Sequence, residues 1–144
     1  MLLAERLTLK PQRLPAETVI CESEDARYKV VGVLGTGVTA YVYEVIHMET
    51  RIHYAMKVID STMLADDKVA SLVANEAKIH GSLSHRNVVK VYRVFWAQKM
   101  LCFLMELCPY GDLESMLDKR RTLRETEVLF FLRQLIAALD YLSD

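Results

Sequence analysis

The sequence predicts an α+β fold carrying a mostly antiparallel sheet, and three observations lead there. Strand-like runs from Tyr28 to Ile59 follow one another across short breaks and read as sequential antiparallel strands. The apolar period then changes to that of a helix over residues 66–83. Two more strand-like runs, 88–96 and 100–107, come next, and the rest is helical. Three strands, a helix, two strands and terminal helices make an arrangement of the α+β class.

Each element has its own signal. Residues 1–27 hold Pro11, Pro15 and the charged stretch Glu22-Ser23-Glu24-Asp25 with weak periodicity, and they read as an extension or mobile linker. From Tyr28 the pattern sharpens: Val31 and Val33 alternate with smaller residues, and Gly35-Thr36-Gly37 breaks the run. Tyr41-Val42-Tyr43-Glu44-Val45 resumes strand composition, and residues 53–59 follow a polar turn around Glu49-Thr50-Arg51. Over 66–83 the spacing predicts one helical face carrying Val69, Leu72, Val73, Ile79 and Leu83, with Gly81 weakening the far end. Glu76 falls on that face, and a charge on an apolar stripe needs a partner or a water path. Pro109-Tyr110-Gly111 ends the sheet pattern. Leu113, Met116 and Leu117 mark a short amphipathic helix. From Glu125 onward Val128, Phe131, Leu132, Leu135, Ile136, Leu139 and Leu142 form a long apolar stripe. There is no internal repeat and no low-complexity tract.

Composition narrows the function classes. The chain has 144 residues, enough for one ordinary domain, and 52% apolar residues supply a core. Eighteen Lys and Arg against nineteen Asp and Glu give a net charge of −1, which argues against nucleic acid or an anionic membrane as the main partner. No apolar stretch approaches the ~20 residues that span a bilayer. Met1-Leu2-Leu3-Ala4-Glu5-Arg6 meets charge after three apolar residues, so no signal-peptide core is expected. Three cysteines, Cys21, Cys102 and Cys108, are odd in number and lack metal-ligand spacing; a reducing, intracellular and cytoplasmic setting fits them.

Four places could carry chemistry. Gly35-Thr36-Gly37 between two strands can bring backbone amides to a phosphate because no Cβ stands in the way, although hairpin glycines usually serve only the turn. Lys57 shares a strand face with Ala55, and it is a candidate cation for Glu76, nineteen residues on. Asp112 follows Gly111 and reads first as a helix N-cap. His80 and His85 have no cysteine or carboxylate suitably spaced, so no metal is expected; Met100, Phe103 and Met105 read as core, and Lys119-Arg120-Arg121 as a solvated helix end.

In combination these residues resemble the amino-terminal lobe of a eukaryotic protein kinase. The matching order is Leu34-Gly35-Thr36-Gly37-Val38-Thr39-Ala40-Tyr41-Val42, then Ala55-Met56-Lys57, Glu76, His85-Arg86-Asn87 and Met105-Glu106-Leu107-Cys108. The resemblance covers residues 28–144. Within the family the chain is most similar to polo-like kinases, since Ala40 replaces the third loop glycine and Glu106-Leu107-Cys108 looks polo-like. Asn75-Glu76-Ala77-Lys78-Ile79-His80, with Leu83 and His85, resembles the branch that controls centriole duplication.

The resemblance implies a small lobe of five antiparallel strands and one helix over 28–108, and the first helices of a truncated large lobe over 109–144. It implies that Gly35, Thr36, Gly37, Val38, Thr39 and Ala40 cover the ATP phosphates, and that Leu34, Val42 and Ala55 roof the adenine. Lys57 would hold the α- and β-phosphates and pair with Glu76. Met105 would be the gatekeeper, Glu106 and Cys108 would offer backbone bonds to adenine, and Asp112 would reach the ribose. His80 and Val91 would take the hydrophobic-spine positions. Phosphoryl transfer from ATP with Mg²⁺ to protein serine or threonine would be the parent reaction, with centrosomal association if the polo-like likeness holds.

The chain also departs from the family pattern. Arg86 stands where proline is common, Thr39 replaces a frequent aromatic, and Ser143 replaces a frequent histidine. The sequence reaches Asp144 without the catalytic H-R-D or the D-F-G aspartate. The 144 residues alone are therefore expected to be inactive, and the stripe over 125–142 to be bare unless the chain self-associates. Two readings remain: the ATP-binding portion of a Ser/Thr kinase, or a non-catalytic regulatory module that binds nucleotide or a protein partner.

Overall fold

The computed structural model describes residues 10–144. Six antiparallel strands form one sheet: β1 (Val19–Cys21), β2 (Arg27–Thr36), β3 (Tyr41–His47), β4 (His53–Asp60), β5 (Val91–Ala97) and β6 (Met100–Met105). Their spatial order is β1-β2-β3-β4-β6-β5. Between β4 and β5 lie a 3-10 turn (Ser61–Ala65) and helix α1 (Asp67–Ser82); helices α2 (Leu113–Arg120) and α3 (Glu125–Ser143) follow the sheet.

The sixth strand is a correction to the predicted five. It comes from the segment expected to be an extension, and its register is Val19↔Lys29, Ile20↔Tyr28 and Cys21↔Arg27. The Val30 amide donates to the Thr18 carbonyl, and the Glu17 amide donates to the Val30 carbonyl. Ile20 is fully buried, and Leu14 packs on the same core while its amide donates to the Tyr43 hydroxyl at 2.8 Å. Three residues are too few to show a period-two pattern, so their pairing depends on β2. Residues 1–9, including Met1–Arg6, lie outside the described residues.

The sheet curls until its first and last strands approach. Glu22 beyond β1 meets Arg93 on β5 at 3.0 Å, and Tyr28 on β2 stacks on Phe95 of β5. Inside the curl lies the larger core, with Tyr28, Val30, Tyr43, Val45, Met56, Cys102 and Leu104. Burial there pushes the Cys102 thiol up to about 12. Two bulges let β2 bend, between Val30 and Gly32 and between Val33 and Gly35.

The outer face carries the second core: Ile59, Met63, Val73, Val91 and Phe103, joined by Ala40. Helix α1 is capped by Asp66, whose carboxylate accepts from the Lys68 and Val69 amides. Its inward face differs from the predicted stripe. Val69, Val73 and Ala77 pack inward, whereas Leu72 and Ile79 are 70% and 54% exposed. At 3.6 residues per turn those two lie roughly a quarter-turn round from Val73. The inward row is completed by Glu76 and His80 rather than by aliphatics. In α3 only Phe131 of the predicted stripe is turned partly inward; Ala138 is buried, and Val128, Leu132, Leu135, Ile136, Leu139 and Leu142 are exposed.

Candidate functional site

A cross-strand row fixes the centre of the site. Gly35 pairs with Val42, Val42 with Lys57, and Lys57 with Phe103, so four strands present one line of residues on the helix-bearing face. Directly opposed residues share a face of a pleated sheet. Two positions along β4, Ala55 pairs with Met105, which itself pairs with Val91. The apolar Val42, Ala55 and Met105 thus flank a single cation.

That cation is held from the other side by α1. Lys57 Nζ lies 2.6 Å from Glu76 Oε1 and 5.7 Å from the centre of the Phe103 ring. Glu76 is set by the turn that seats Val73 and Ala77, which aims position 76 along the sheet at β4. One turn later His80 places Nε2 2.8 Å from the Val89 carbonyl, fixing the helix end to the loop that leads into β5. Val91 is buried. The Lys57 and Glu76 side chains keep 22% and 39% of their surface in water, so the pair is partly hydrated.

The glycine-rich turn between β2 and β3 closes by a bond from the Gly37 amide to the Ala40 carbonyl at 2.8 Å. Neither Gly35 nor Gly37 has a left-handed backbone, and a Cβ added at Gly35 would meet no protein atom within 4 Å. Glycine there leaves open space beside the row. Val38 stands 88% exposed at the tip, Thr36 is exposed, Thr39 is partly buried and Ala40 is buried. Leu34 sits exposed in the second bulge.

After β6 the chain leaves the sheet through Glu106, Leu107 and Cys108. The Glu106 amide donates to the Lys90 carbonyl and its carboxylate accepts from the Lys90 amide at 3.2 Å, a latch that no sequence pattern announced. Gly111 turns with φ +78°, a conformation that disfavours any side chain. Asp112 then caps α2: its carboxylate accepts from the Ser115 amide at 2.8 Å, and that bond holds its pKa below the ordinary 3.8. Helix α3 meets the sheet end through the loop 83–90. Asn87 Nδ2 donates to Gln134 Oε1, the Ser84 amide donates to the Tyr141 hydroxyl, and the His85 ring stacks on Tyr141. Arg120 makes a two-pronged pair with Glu127, linking α2 to α3.

Lys57, Val42, Ala55, Met105 and the glycine turn therefore gather on one face, while Asp112 stands at the first helix beyond the strand exit. Among the described residues no three His, Cys, Asp or Glu side chains are placed to hold a metal ion.

The protein kinase domain family matches over residues 28–144. Probable serine/threonine-protein kinase CCRP1 of Zea mays is 36% identical over 81% of this chain and 18% of its own length. A probable cell cycle serine/threonine-protein kinase, CDC5 homolog, of Encephalitozoon cuniculi is 34% identical over 88% of this chain and 27% of its own. Serine/threonine-protein kinase plk-2 of Caenorhabditis elegans is 32% identical over 94% of this chain and 22% of its own. The chain spans about a fifth of the length of such relatives.

Proposed function

The chain belongs to the protein kinase domain family, with polo-like serine/threonine kinases among its relatives, and on that premise we propose that residues 28–108 are the ATP-holding half of a Ser/Thr kinase site. The observation that carries this reading is the Lys57–Glu76 contact at 2.6 Å, standing in line with the open space at Gly35. An ammonium oriented by a carboxylate and facing glycine backbone is suited to phosphate oxygens. Val42, Ala55 and Met105 offer an apolar bed for a base, and the Glu106 and Cys108 backbone its polar edge. Leu34, Thr36, Val38 and Thr39 would close over the phosphates, and Asp112 would reach the ribose.

These residues bind and orient; they do not include a group to take the proton from an attacking hydroxyl. The 144 residues contain neither an H-R-D nor a D-F-G triplet. Bound ATP would supply the phosphoryl group, and transfer to protein Ser/Thr is proposed for the whole protein, as are its protein substrates and any centrosomal location. No helix is long and apolar enough to cross a membrane among the described residues.

Titrating the chain with a fluorescent ATP analogue tests the reading. Saturable binding, weakened about tenfold or more by Lys57→Met, is the expected result. Binding that ignores the substitution refutes it. In a phosphate-transfer assay on a generic Ser/Thr substrate, the chain alone should show no turnover above the Lys57→Met background.

A further inference from the structure

Ala40 ends the glycine-rich turn, and its surroundings differ from those of its neighbours. It is 3% exposed, while Val38, two residues before it, is 88% exposed. Its methyl group belongs to the outer-face core with Ile59 of β4, Met63 of the 3-10 turn, Val73 of α1 and Phe103 of β6. Its carbonyl meanwhile accepts the Gly37 amide that closes the turn. One residue thus joins the bond that closes the turn to a core built partly by α1. Val73 lies three residues before Glu76, so the helix setting that seats Val73 also brings Glu76 to Lys57.

We infer that Ala40 is a positioning residue that couples the glycine-rich turn to helix α1. With α1 seated, the core holds the Ala40 methyl and the Gly37–Ala40 bond stays closed. When α1 withdraws and Glu76 leaves Lys57, the methyl loses its packing and the turn opens. A glycine at this position would carry no methyl group into that core, and the turn would open independently of the helix. The inference rests on the proposed ATP site for its functional meaning, since it makes loop closure and lysine positioning one event.

Amide hydrogen exchange on the whole chain tests it without nucleotide. The Gly37 amide is compared with the Val30 amide, whose bond to the Thr18 carbonyl reports release of β2 from the segment at its other edge, after correction for intrinsic rates. Ala40→Gly should speed Gly37 exchange about tenfold relative to Val30, the size expected from one buried methyl and the added freedom of glycine. Val73→Ala should speed it about threefold or more, although residue 73 is far from the turn in sequence. Leu72→Ala, at the exposed neighbouring position, should leave it within about twofold. The double variant Ala40→Gly with Val73→Ala should open the turn less than the product of the two effects. Should Val73→Ala disturb the fold, Val69→Ala, one turn earlier on the same face of α1, provides the same test. A Gly37 amide indifferent to Val73→Ala and Val69→Ala, or effects that simply multiply, overturns the coupling. A parent chain that fails to bind the ATP analogue refutes the proposed function, and the exchange comparison still decides the coupling.

Discussion

Replacing Ile20 by alanine should cost the fold about 3 kcal/mol. The side chain is fully buried in the inner core, opposite Tyr28 and in the same cluster as Met100 and Cys102. Removing three carbons forfeits roughly 2.4 kcal/mol of transfer free energy at about 0.8 per methylene, and the incompletely collapsed cavity adds about another one. For a chain of this length that corresponds to a drop of about 10 °C in Tm. Urea unfolding followed by circular dichroism and by Trp96 fluorescence measures it, with the two probes required to coincide. The urea dependence should keep its slope, since β1 belongs to the same cooperative unit. Ile52→Ala, at a position 51% exposed, serves as the control and should stay within about 1 kcal/mol. A loss below about 1 kcal/mol at Ile20 would show that β1 frays separately, and that the fold begins where the family match does, at Tyr28.

Three further outcomes follow from the geometry. A double-mutant cycle on Lys57→Met and Glu76→Gln should give a coupling of about 1–2 kcal/mol, between exposed and buried pairs, because both side chains are partly hydrated; additive effects would deny the contact. Acid should loosen α2 at both ends. Bonds from Arg120 and the Arg124 amide hold Glu127 below its ordinary 4.5, and the Ser115 amide holds Asp112 below 3.8. Both carboxylates are charged in the fold, so their contribution is complete above about pH 4.5 and fades as pH falls through the lowered values. Protection factors in residues 113–127, corrected for the pH dependence of intrinsic exchange, that stay flat from pH 5 to about 2.5 would contradict this. Light scattering of the 144-residue chain should show concentration-dependent association through the bare side of α3, abolished by Leu135→Glu with Leu139→Glu; a monomer at all concentrations would refute that role for the stripe.

The fold was legible where a period was long enough to show. β2, β3, β4 and β6 begin or end within two or three residues of their sequence signals, because alternation and glycine breaks act locally. β1 was not, since Val19-Ile20-Cys21 gains its meaning only from pairing with β2. Counting aliphatics misplaces the inward face of α1. Leu72 and Ile79 are apolar yet point outward, while Glu76, Ala77 and His80 complete the inward row. The pairing of Glu76 is nevertheless legible, because a charge beside Val73 demands a cation, and Lys57 supplies it. The Glu106–Lys90 latch and the burial of Ala40 carried no such signal. Both depend on elements that meet only after the sheet has formed.

The meeting of β1 with β5 bears on how the protein keeps to itself. An open sheet ends in two rows of unpaired amides and carbonyls, each a template for a strand from another molecule. Here one terminal strand is only three residues long, and the other bulges between Val91 and Arg93. Glu22 crosses to Arg93, and the Gln98 side-chain amide reaches the Val19 carbonyl at 3.5 Å, so side chains from each end of the sheet stand across the other end. An incoming strand would first have to part a charged pair and then match a broken register. Residues 10–27 thereby guard the molecule against fibre-like stacking, and removing them would expose the unpaired edge of β2 to its neighbours.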